Sequence, residues 1–241
     1  MIILKSELDK SQYDNLSSVK AKIYICLVEI NASDSIASIV QEINDKSWIA
    51  KLNIVEQISY EARLKGTVKK IMDECNIFDN ETKHNIYDYS IVGEYIISKE
   101  GRTALTAEYN HSAIPVAELW KEKTSRNPGF DYHSESTSNL IVFGEAKYNA
   151  HKNPYNDAIE QIENFIIAQK DCMELSDLQH FVSSKAVKNF EQSKKGFSIA
   201  FSLKKTNNPL LIVENVISSD KIANIYNYDE FYIIGVVIND K

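Results

Sequence analysis

Residues 129–148 read GFDYHSESTSNLIVFGEAKY, and this stretch decides the architecture. FDYHSE and LIVFGEAKY are rich in aromatic and β-branched residues, with the polar group Thr137-Ser138-Asn139 between them. Two such runs about a short polar turn predict a β-hairpin over 130–148. With that three-residue loop, position 136 pairs with 140, and the same register sets Asp131 opposite Glu145. The run LIVFG lacks polar alternation, so the second strand reads as buried.

On the N-terminal side of the hairpin, a helix is expected from Tyr87 to Ser98, ending before Gly101. Ile91, Glu94, Tyr95 and Ser98 share one of its faces. An irregular stretch follows through Pro115 and AELWKEKTSRNPG. On the C-terminal side, Pro154 stands where a helix can begin. NDAIEQIENFIIAQK then carries an apolar stripe of Ala158, Ile162, Phe165 and Ile166. Another helix is expected over about Asp177 to Gln192. The runs FSIAFSL, LLIVENVI and FYIIGVVI read as strands from their β-branched and aromatic content.

The first 80 or so residues read as a strand and two helices. Ile23 to Ile30 is the strand, and NASDS after it is a helix start in which Ser33 or Asp34 caps the first turn. Ile36, Ile39, Val40 and Ile43 follow at helical spacing. Leu64, Val68, Ile71, Met72 and Cys75 mark the second helix. The sum is an α/β fold with a central mixed β-sheet flanked by helices. No repeat or Pro/Gly/Ser linker divides it, so residues 1–241 are expected as one domain, with 1–80 an N-terminal extension and 85–241 the core.

Composition narrows the class. Of 241 residues, 44% are apolar, which excludes a disordered chain. The net charge of −7 excludes a strongly basic nucleic-acid coat protein. Cys26, Cys75 and Cys172 are far apart and form no CxxC pair, and His111 and His151 lack ligand spacing, so a structural zinc site is not expected. The start, MIILKSELDKSQYD, is too acidic and turns polar too soon for a signal peptide. No apolar run approaches the roughly 18 residues of a membrane span. A reduced, cytoplasmic protein is the expectation.

The chemistry lies at the far end of the hairpin. Glu145 and Lys147 are two apart on one strand, so both leave the same face, roughly 6–7 Å apart. Ile141 and Phe143 precede them on that face, and charges at the end of a buried strand are expensive unless paired or metal-bound. Adding Asp131 puts two acids and an ammonium in one pocket. A hard divalent cation with oxygen ligands, Mg²⁺ or Mn²⁺, resolves the repulsion between the acids, and the Ala146 carbonyl is a further donor. Lys147 is suited to stabilise a pentavalent phosphate or activate a water. The implied reaction is metal-assisted hydrolysis of a phosphodiester.

Gly129-Phe130-Asp131, then thirteen residues, then Glu145-Ala146-Lys147 resembles the PD-(D/E)XK nuclease motif, with the proline displaced to Pro128. The resemblance implies a restriction-endonuclease-like core with Asp131 and Glu145 as metal ligands and Lys147 as electrostatic catalyst. It further implies an outer-sphere or second-metal role for Glu94 and a water- or phosphate-positioning role for Gln161. Over about residues 85–170 the series VGEYIIS, Lys123-Thr124, Gly129 to His133 and Gly144 to Tyr148 is similar to the nuclease subunit of the Hachiman antiphage defence system. That family's partner is a superfamily 2 helicase, which implies an effector subunit that degrades DNA when a helicase delivers it.

Each residue also has a plain structural reading. Asp131 suits a turn, and Glu145 with Lys147 suits an exposed ion pair. Glu94 is favoured near a helix N-terminus by the dipole. Gln161 is also read as a core-edge amide and His133 as a polar hairpin residue. Lys121, Lys123, Arg126, Lys147 and Lys152 surround the motif and suggest a local DNA groove on an acidic body. Lys185, Lys188, Lys194, Lys195, Lys204 and Lys205 read as solvated surface. The competing functions are a stand-alone restriction-type endonuclease and a catalytically inactive docking subunit of a helicase complex.

Overall fold

The computed structural model describes residues 1–13, 16–74, 89–115, 117–121, 129–204 and 208–239. Lys123, Thr124, Arg126, Pro128, Cys75 and Lys205 lie outside them, as do the side chains of Ile71, Met72 and Ile91.

In chain order the elements are β1 (Ile2–Glu7), β2 (Lys22–Asn31), α1 (Ala32–Asn44), α2 (Ile54–Glu74), α3 (Tyr89–Tyr109), β3 (Ser112–Ala113), α4 (Ala117–Trp120), β4 (Tyr132–Glu135), β5 (Ile141–Lys147), α5 (Tyr155–Ile167), α6 (Lys170–Leu178), α7 (Ser184–Glu191), β6 (Gly196–Ser202), α8 (Pro209–Ile217) and β7 (Glu230–Asn239). The strands form one seven-stranded mixed sheet in the order β1-β2-β7-β6-β5-β4-β3. The four central strands β2, β7, β6 and β5 run parallel, and β1, β4 and β3 close the two sides antiparallel. The N-terminal extension and the core share this sheet, because β2 pairs with β7 from Lys22↔Glu230 to Asn31↔Asn239.

Alternation along the strands sorts the core into two layers. Tyr132, Val142, Ala146, Ala200 and Ile234 face Ile97, Ala104 and Leu105 of α3. Ile141, Phe143, Ile199, Phe201 and Ile233 face the other way, in the cluster that holds Ala158, Ile162 and Phe165 of α5. Each fully buried Val, Leu, Ile or Phe among them contributes roughly 1.5–3 kcal/mol.

Several expectations are corrected. The strand-like run LLIVENVI is helix α8. Asn208 caps it, accepting the Leu211 N–H at 3.3 Å, and Pro209 occupies the first turn. Only Val213, Val216 and Ile217 are buried, a helical spacing. The helix expected over Asp177 to Gln192 is broken: α6 stops at Leu178, and Ser183 caps α7 by accepting the Ala186 N–H at 3.2 Å. α3 does not end before Gly101 but runs to Tyr109, with Asn110 in the left-handed region after it. Gly101 abuts Ala200 and the Tyr132 ring, so the missing side chain lets the helix approach the sheet. That approach offsets the ~1 kcal/mol a mid-helix glycine costs. The cap of α1 is Asn31, not Ser33 or Asp34, whose N–H groups it accepts. β1 escaped notice because it is an edge strand with Ile2 and Ile3 exposed.

Candidate active site

The hairpin has the register that its loop dictates. The Ser136 N–H donates to Leu140 O at 2.9 Å, and Asn139 takes φ 59 to turn the chain, a conformation asparagine tolerates. Tyr132 pairs with Gly144, the last pair of β4 with β5, and the Asp131 N–H donates to Gly144 O at 2.9 Å, so Asp131 sits just outside β4 against residues 144–146 of β5.

Glu145 is fully buried. Its Oε1 accepts Lys147 Nζ at 2.8 Å, while its Oε2 is buried with no hydrogen-bond partner. Asp131 is half-buried, and its Oδ2 accepts the Ala146 N–H at 2.8 Å. A strand residue sends its N–H and C=O to the same side, so the Ala146 carbonyl is directed to the Asp131 side of β5 as well.

Burial, and then the Asp131 charge, push the Glu145 carboxyl well above the usual carboxylate range, and Lys147 pulls back only part of this. Burial likewise raises Asp131 against the pull of Lys147 and the Ala146 N–H. Burial lowers Lys147, but the charges of Glu145, Asp131 and Glu94 outweigh it, so it stays an ammonium at neutral pH. Two acids and one lysine thus hold an excess of negative charge around an unpaired oxygen. This donor set fits a hard divalent cation, with Asp131 and Glu145 as the residues that would hold it. Among the described residues no group of three or more His, Cys, Asp and Glu side chains is gathered into a ready metal cluster, so water or substrate oxygens would complete the shell.

Glu94 is brought to the rim. Its Oε1 lies 3.7 Å from Lys147 Nζ, and its side chain is 56% exposed. One turn further along α3, Ser98 donates to Asp131 O at 3.3 Å, so the expected face of this helix does meet the motif. Gln161 is half-buried on α5, and no hydrogen bond joins it to Asp131, Glu145 or Lys147.

His133, read as a polar hairpin residue, lies on the buried face of β4, fully inaccessible, with Nε2 2.7 Å from Glu174 Oε2. Burial pulls it down to about 4, although Glu174 opposes this, so the ring is neutral at neutral pH. Lys121 is not free for DNA: its Nζ is 2.6 Å from Glu174 Oε1. Lys152 pairs with Asp157 at 2.6 Å, and Lys195, expected as solvated surface, is buried against Asp171. The described members of the expected DNA groove are therefore neutralised within the chain. Glu174 is absent from the sequence reading, and the one local sign of it is the glycine at 129, where a side chain would overlap its carboxylate.

In comparisons with protein-family models, curated proteins and solved structures, nothing matches this chain. Among the described residues, no helix is long and apolar enough to cross a membrane.

Proposed function

We propose that the chain is a metal-dependent deoxyribonuclease of the PD-(D/E)XK type, the effector subunit of an antiphage defence complex with a superfamily 2 helicase. The observation that carries this reading is the buried, unpartnered Glu145 Oε2 beside Asp131 and Lys147. Its electrostatics suit a cation and a phosphate better than they suit the bare protein. A bound Mg²⁺ or Mn²⁺ would supply Lewis acidity at a phosphoryl oxygen and a more acidic water. Asp131 and Glu145 orient that chemistry from adjacent strands. Lys147 turns from Glu145 toward the scissile phosphate, where its charge opposes the negative charge that builds in the transition state.

The charge of −7 and the internal pairing of Lys121 and Lys152 support delivery of DNA by a partner, since phosphate neutralisation supplies most non-specific affinity. The Lys147–Glu145 ion pair is the resting state in this scheme. The test is DNA degradation by the chain with its helicase in Mg²⁺ or Mn²⁺, comparing the wild type with the Glu145→Ala/Lys147→Ala double variant. Loss of cleavage by 10²-fold or more, about what removal of one electrostatic catalyst costs, is expected. Cleavage that persists in the double variant would remove the enzymatic reading. An inactive docking subunit would then stand, a role favoured by the absence of a three-acid cluster among the described residues.

A further inference from the structure

Glu174 reaches from α6 to the residues just before Asp131. Its Oε1 accepts the Phe130 N–H at 3.0 Å and the Lys121 ammonium at 2.6 Å, and its Oε2 accepts from His133 Nε2 at 2.7 Å. The same ammonium donates to the Phe130 carbonyl. Both backbone polar groups of Phe130 are thereby held by side chains from two other elements. The Phe130 ring is locked as well, with Phe143, Phe165 and Phe197 at centroid distances of 5.1, 5.0 and 6.0 Å. Gly129 lies so close under the Glu174 carboxylate and the Lys121 ammonium that a Cβ there would overlap the carboxylate. On the other side, the Asp131 N–H is tied to Gly144, its C=O to Ser98 and its carboxylate to the Ala146 N–H.

A buried carboxylate is costly to desolvate, and replacing it with an apolar group is often neutral or better for stability. Here it is spent on one dipeptide, the one that sets the direction of Asp131. We infer that Glu174, with Lys121 and His133, is a positioning residue that fixes the backbone entering Asp131 and so aims its carboxylate at the cation shared with Glu145. This rests on the nuclease reading, because it takes Asp131 as a metal ligand.

The test uses the full chain and Mn²⁺ alone. Glu174→Ala should weaken Mn²⁺ binding by about 10–100-fold in titration calorimetry, the usual loss when an outer-shell partner is removed. Amide exchange over 129–132 should quicken in parallel. Glu174→Gln, which keeps an acceptor for the Phe130 N–H, should recover part of both. Tyr60→Phe deletes the 2.8 Å hydrogen bond to Asp177 on the same helix and should leave Mn²⁺ affinity at the wild-type value, whatever it does to stability. Should Glu174→Ala fail to fold, Lys121→Met gives the same reading, since it removes the ammonium from Phe130 O. Wild-type Mn²⁺ affinity in the folded Glu174 or Lys121 variants, or unchanged exchange at 129–132, overturns the positioning role and leaves the nuclease reading standing. A wild-type chain that takes no Mn²⁺ overturns the nuclease reading and the positioning role together.

Discussion

Two acid–lysine clusters lie at the same end of one hairpin and differ in how far each carboxyl is satisfied. Around Glu174, a carboxylate receives Lys121, His133 and the Phe130 N–H. Burial raises its proton affinity, but these partners outweigh burial and hold it below the usual carboxylate range. Around Glu145, a carboxyl of similar burial receives one ammonium, Lys147, meets the carboxyl of Asp131 and is driven the opposite way. The unpartnered atom of the first cluster, His133 Nδ1, belongs to a neutral ring; that of the second, Glu145 Oε2, belongs to an acid. On the proposed reading, the acid that the fold leaves less satisfied is the one that takes the cation.

The contrast breaks first on stability. Removing the charge of Glu174 leaves the half-buried Lys121 and the buried His133 without their carboxylate, and Glu174→Ala should cost about 3 kcal/mol. Glu145→Gln relieves the repulsion with Asp131 and lets an amide serve the orphaned position, so the metal-free chain should lose nothing and gain up to about 1 kcal/mol. Urea unfolding of both variants without divalent metal checks the signs. Equal destabilisation by the two would erase the distinction between the clusters.

The pH dependence sharpens it further. The Glu145 carboxyl is raised in the folded chain, so its contribution is present in acid and is lost as pH rises through that raised value. The Glu174 carboxyl is lowered, so its contribution is present above 4.5 and is lost as pH falls below it. His133, lowered from 6.5 to about 4, adds to the acid side, since the unfolded chain binds its proton first as pH falls through that window. Thermal melts of the metal-free chain should therefore sag on both sides. Mn²⁺, which competes with protons for the raised Glu145 carboxyl, should lift the alkaline side most, and any proton release on Mn²⁺ binding should appear in calorimetry in buffers of different ionisation enthalpy.

What was legible follows from range. The hairpin register needed only the length of the Thr137-Ser138-Asn139 turn, and with it came the meeting of Asp131, Glu145 and Lys147. Glu94 was readable because helical periodicity puts it on the same face as Ser98. Glu174 was not, because nothing local ties it to Phe130, 44 residues away. His133 shares the strand parity of Asp131, yet α6 covers the face at 133, and parity alone says nothing of what lies above a strand. α8 was misread because β-branched content outvoted Asn208-Pro209, a stronger local signal for a helix start. The sheet's longest pairing, β2 on β7, joins segments about 200 residues apart in the chain and leaves no trace in either segment alone.

The smallest test concerns the rim. Glu94 lies 3.7 Å from Lys147, mostly in solvent, whereas Glu145 binds the same ammonium from full burial. An exposed pair at that distance is worth less than about 1 kcal/mol, so Glu94→Gln should leave the unfolding midpoint almost unchanged. Its effect should fall on how firmly the resting ion pair keeps Lys147 from phosphate. With the partner present, cleavage at saturating Mg²⁺ should change by less than tenfold, far less than in the Glu145→Ala/Lys147→Ala variant. A loss as deep as the double variant's would move Glu94 from the rim into the metal shell. The comparison would then be between two fully committed acids and a third, rather than between a satisfied cluster and an unsatisfied one.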